Sequence, residues 1–131
     1  MRILFTLPLL LALAVPAMAA EKVPPPSAKL TEALKGRVAE KPRSCITLRP
    51  TLRSQIIDET AIIYEDTSRL WYVNRPDHGS CTSLRRDRAI VTRTPTNQLC
   101  RGDIVRVIDP PSPMEFGSCV LGDFVPYRKV K

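Results

Sequence analysis

Residues 55–75 read QIIDETAIIYEDTSRLWYVNR, and the periodicity of this stretch sets the expected fold class. Gln55-Ile56-Ile57 and Ala61-Ile62-Ile63-Tyr64 are short runs rich in β-branched residues, separated by the turn-forming Asp58-Glu59-Thr60. They predict a hairpin or one kinked continuous strand. Asp66-Thr67-Ser68 supplies a tight turn, because short polar side chains hydrogen-bond to nearby backbone. From Arg69 to Arg75 the chain alternates, with Leu70 and Tyr72 on one face and Trp71 and Val73 on the other. Both faces are apolar, so this strand belongs at the centre of a sheet covered on both sides.

Downstream, Pro76-Asp77-His78-Gly79-Ser80 reads as a loop, and Ala89 to Arg93 and Asp103 to Ile108 read as strands joined through Thr94-Pro95-Thr96-Asn97. Asp109-Pro110-Pro111-Ser112-Pro113 breaks the chain again. Phe116 to Val120 and Phe124 to Tyr127 form a last strand or two, bent at Gly122. The expected fold is mainly β, a small antiparallel sandwich or barrel of about six strands.

Upstream, residues 21–43 differ in character. Lys22-Val23-Pro24-Pro25-Pro26 has neither the N–H groups nor the φ freedom for helix or interior strand, and is expected to be extended. Ser27 suits an N-cap, with Leu30, Leu34 and Val38 at helical spacing behind it. A helix this short is marginal in water, so the arm reads either as a tether or as a short helix docked over the sheet. Lys41-Pro42 ends both versions.

Residues 1–20 have the order of a cleavable signal peptide: Arg2, an apolar run from Ile3 to Val15, then Ala17-Met18-Ala19. The apolar run is short for a membrane span, which needs about 20 residues. The expected organisation is therefore a leader (1–20), a Pro-rich arm (21–43) and a β domain (44–131), periplasmic or secreted, with no stable membrane insertion after cleavage.

Export gives the cysteines their meaning. Cys45, Cys81, Cys100 and Cys119 are an even set in a small chain, which predicts two disulfides. Gaps of 36, 19 and 19 residues, with no C-x-x-C, fit no usual zinc spacing. Three pairings are open. Adjacency of first and last strands in a closed sheet favours Cys45–Cys119 with Cys81–Cys100.

The formal net charge is +7, a general attraction towards anionic surfaces that carries no fold information. Its densest cluster is Arg85-Arg86-Asp87-Arg88. Arg85, Arg86 and Arg88 are the candidate contacts for an anionic ligand, because the guanidinium fork matches carboxylate and phosphate oxygens; the competing reading is a solvated face with local Arg–Asp pairs. Nucleic acid is not expected, since export removes it and no row of aromatics is present to stack bases.

Catalytic readings are thinner. His78 is the single histidine, with Asp77 beside it and Ser80 and Ser83 nearby, but a triad needs geometry that a turn does not supply. The carboxylate pairs Asp58-Glu59 and Glu65-Asp66 are more simply turn formers than a glycosidase pair. Arg101-Gly102-Asp103 reads as a turn into the following strand. No cofactor, metal or catalytic residue is assigned.

Cys45-Ile46, Ile57 to Ile62, Trp71 to Arg75, Leu99 to Ile104 and Cys119 to Phe124 occur in one order. Together they resemble a family of small exported four-cysteine proteins of Gram-negative bacteria known only as a domain of unknown function. The resemblance covers about residues 43–128 and implies a leader followed by a four-cysteine domain, with no catalytic residues to carry over. The expected function is a non-enzymatic binding or structural module of the cell envelope. Its partner would be an anionic envelope polymer or another periplasmic protein, the latter making it an inhibitor or accessory subunit; a small hydrolase is the third alternative.

Overall fold

In chain order the elements are α1 (Ala28–Ala33), β1 (Arg37–Ala39), β2 (Cys45–Thr47), β3 (Arg53–Asp58), β4 (Ala61–Glu65), β5 (Leu70–Asn74), a 3-10 turn (Pro76–Gly79), β6 (Ala89–Thr92), β7 (Gln98–Cys100), β8 (Ile104–Ile108), β9 (Glu115–Val120) and β10 (Phe124–Lys129). They come from a computed structural model, which describes residues 23–112 and 114–131. The leader at 1–20 lies outside the described residues.

The quoted stretch forms a hairpin, not a kinked strand. β3 and β4 pair antiparallel around Glu59-Thr60, with a bulge between Ile56 and Asp58. The Asp58 carboxylate accepts the Thr60 N–H at 2.9 Å, the local bond that makes Asp a turn residue. At the next turn, Thr67 Oγ1 accepts the Leu70 N–H at 3.0 Å. The main sheet runs β1-β10-β5-β4-β3, so β5 is its central strand. Two smaller sheets, β2-β7 and β6-β8-β9, complete the fold, and none of the three closes into a barrel.

Alternation in β5 separates two cores. On one face Ile56, Ile62, Tyr64, Tyr72 and Phe124 pack against Ile46, Leu99, Val105 and Val107 of the smaller sheets. On the other, Ile57, Ala61, Ile63 and Val73 are covered by Leu30 and Leu34. Trp71 belongs to this second face, and the Arg37 guanidinium lies 3.4 Å from its ring centroid. The result is helix, sheet, then paired small sheets.

Asn74, at the end of β5, is fully buried. Its amide donates to the Gly122 carbonyl at 2.7 Å and its oxygen accepts the Gly122 N–H at 3.0 Å. A side chain thus supplies the ladder bonds that the bend before β10 cannot.

The disulfides are Cys45–Cys100 and Cys81–Cys119, which corrects the favoured pairing of Cys45 with Cys119 and Cys81 with Cys100. The strands nearest the two ends do lie side by side, but they are β1 and β10, which carry no cysteine. Cys45 instead stands opposite Cys100 across β2-β7, at a Cα separation of 4.0 Å. The Cys100 N–H turns away to the Asp103 carboxylate at 2.7 Å.

The arm is not a tether from residue 27 onward. The Ser27 side chain caps α1 by accepting the Leu30 N–H at 3.2 Å, and Leu30 is only 2% exposed. Burial against the sheet supplies what so short a helix lacks alone. Gly36, at φ +78°, takes the chain out of α1. Val38 is therefore not a third helical anchor but a residue of β1, 57% exposed. A domain boundary at residue 43 does not separate two bodies, because α1 and β1 are parts of the β domain.

Candidate functional site

Three segments wall an open cleft of about 450 Å³: Lys29 on α1, Asp58 to Thr60 between β3 and β4, and Leu84 to Asp87. Leu84 is fully buried and anchors the last wall. The Cys81 N–H donates to the Glu59 carbonyl at 2.9 Å, joining that wall to the hairpin turn. A second hollow of similar volume continues along α1 and shares Lys29, Ile57 and Arg86.

Asp58 organises the cleft. One of its oxygens accepts the Ser27 hydroxyl at 2.5 Å, and the other accepts the N–H and hydroxyl of Thr60. Burial opposes its charge, but these hydrogen bonds, with Lys29 nearby, hold the carboxyl below the usual carboxylate range. A glycosidase acid needs a raised pKa. Asp58 is tuned the other way and its oxygens are already occupied.

The three candidate arginines are brought to one region but have different duties. Arg85 Nε lies 3.4 Å from the Asp87 carboxylate, both side chains well exposed. Such a pair contributes little. Arg88 is turned aside: its Nη1 donates to the Ser83 carbonyl at 2.8 Å and its guanidinium covers the Phe116 ring at 4.3 Å. Arg86 has no hydrogen bond or ion pair among the described residues, and it lines both hollows.

The other candidates lie elsewhere. Glu65 pairs with Arg53 at 3.0 Å, and Asp66 with Arg49 at 3.9 Å. Asp77 and His78 have left-handed backbones in the 3-10 turn, and Asp77 accepts the Val120 N–H at 3.0 Å. Asp77 also lies near Cys81 and Cys119, but both sulfurs are spent in a disulfide and the trio is no metal site. Arg101-Gly102-Asp103 is a turn before β8, with Gly102 at φ +89°.

Sequence reasoning missed Lys29 as a wall residue. Ser27 was readable as a cap, but its bond to Asp58 spans 31 residues and leaves no local signature. Fold and cleft together define a disulfide-stapled antiparallel β domain with α1 lying on its main sheet. No protein-family model, curated protein or solved structure matches the chain. The two disulfides are consistent with an extracellular or periplasmic location. Among the described residues no helix is long and apolar enough to cross a membrane.

Proposed function

We propose that the protein is a non-enzymatic binding or structural module of the cell envelope, exported through the leader at residues 1–20. Its kinship is with the small four-cysteine exported proteins it resembles. The contact surface centres on Arg86, with Lys29 and Arg85 beside it. The observation that carries this reading is that Arg86 has no protein partner among the described residues and stands where the two hollows meet. A guanidinium without a described partner keeps its donors for an anionic polymer, and the positive charge, of which only Arg2 lies in the leader, draws such a polymer in.

Chromatography on an anionic polysaccharide resin tests it. The protein is expected to be retained and released by salt, with Lys29→Ala/Arg86→Ala eluting at lower salt. Arg106→Ala is the control, because Arg106 is paired with Glu115 at 2.9 Å. Equal elution of all three proteins removes the proposal.

A protein partner is the second reading, favoured by the mixed lining of the cleft. Glu59 and Asp87 stand among the cations there, a pattern that suits a partner carrying both signs of charge. A photo-crosslinker at position 85 is then expected to capture one stoichiometric periplasmic protein, and Arg86→Ala to abolish the product. No crosslinked product would argue against this second reading.

A further inference from the structure

A separate hollow of about 430 Å³ lies beneath the start of the arm. Val73, Val125 and Tyr127 of the main sheet contribute to its apolar lining, Val23 and Pro26 line it from the arm, and Arg75 and Arg101 are its arginines. This volume falls within the range of small-molecule sites, roughly 300–1,000 Å³.

Arg75 is held in an unusual way. Gly79 sits at φ +83°, and a Cβ built there would stand 2.6 Å from Arg75 Nη2. The guanidinium therefore occupies room that only glycine leaves. Nη1 donates to the Pro24 carbonyl at 2.6 Å and Nη2 to the Pro25 carbonyl at 3.4 Å. Nε is shielded from solvent and has no acceptor among the described residues. Asp123, an acid of the same hollow, is already paired with Arg101 at 3.4 Å. A full positive charge, fixed beside an apolar lining, thus meets two neutral carbonyls as its acceptors among the described residues.

We propose that this hollow binds an organic acid, a single carboxylate on an apolar body, with Arg75 gripping the carboxylate and residues 23–26 acting as a displaceable strap. A carboxylate makes shorter and stronger bonds to a guanidinium than peptide carbonyls do, and the fork geometry suits two-point contact. The strap gives way at small cost. Proline has no N–H to strand, and extended Pro-rich backbone is well solvated when released. Val73, Val125 and Tyr127 then receive the apolar body. The site is independent of the Arg86 cleft and does not rest on the function proposed for it.

The test is NMR titration of the purified protein, following the Arg75 side-chain Nε–H and the backbone amides. The probes are octanoate, an apolar tripeptide with a free C-terminal carboxylate, and the same tripeptide amidated. Saturable shifts at Arg75 Nε–H, Gly122 and Val125 with either acid, and none with the amide, are expected. Which acid binds more tightly distinguishes a free organic acid from a peptide terminus. Arg75→Lys, which keeps the charge without the fork, is expected to weaken binding by about tenfold. Pro24→Gly/Pro25→Gly loosens the strap without altering the lining, and is expected to tighten binding several-fold by raising the open fraction. Absence of saturable shifts, equal binding of acid and amide, or shifts confined to Lys29 and Arg86 would each overturn the proposal. The wild-type titration decides even if a variant fails to fold.

Discussion

Asn74 shows how much one side chain can hold. Among the described residues it is the single polar one of the fully buried large side chains, and both ends of its amide are committed to Gly122. Asn74→Leu strands a buried donor and acceptor, so a loss of about 2–3 kcal/mol is expected in urea unfolding. Asp58 makes a pH-dependent contribution. Its folded pKa lies below the ordinary 3.8, so the stability it lends is fully present above that value and is lost as pH falls through the folded pKa. Asp58→Asn should therefore destabilise the protein at pH 7 and make progressively less difference below about pH 3.8. Urea midpoints of both proteins at the two pH values check this. The candidate site was partly legible at this scale. Asp87 and Ser83, which engage Arg85 and Arg88, lie within five residues of them. Lys29 and the arm carbonyls on Arg75 come from far along the chain, and no local pattern announces them.

The elements that sequence reveals are those with room for a period to show. β3, β4 and β5 have five or six residues each, long enough for an apolar, β-branched or aromatic run to stand out. β1, β2 and β7 have three residues each, too few to display a period of two, and they exist because their partners do. The cysteine pairing was misjudged for that reason: without β2 and β7, the facing of Cys45 and Cys100 is invisible. Non-reducing peptide mapping should recover 45–100 and 81–119 linkages. Replacing either pair by serine is expected to cost about 2–4 kcal/mol by loop closure, with similar values because the spans, 55 and 38 residues, differ little on a logarithmic scale. Their local effects should differ. Cys81→Ser/Cys119→Ser frees the segment that walls the cleft, so amide exchange at Leu84 to Arg88 should accelerate in that variant and not in Cys45→Ser/Cys100→Ser.

For the whole molecule, the mainly β class and the two-sided central strand were readable from residues 55–75, while the three-sheet arrangement was not, because it depends on which short strands meet. The meeting of β1 with β10 has a further meaning. Arg37 faces Lys129, and the Val130 N–H reaches the Gly36 carbonyl at 3.0 Å. β10 also lies against β5, so the main sheet lacks its second strand until β10 is made. A chain ending at Asp123 is expected to be cut rapidly by protease, whereas one that includes β10 resists. β1 must wait for β10, which follows it far along the chain. Until β10 joins, the sheet stays split, with β1 lacking its partner on one side and β5 left as an open edge on the other.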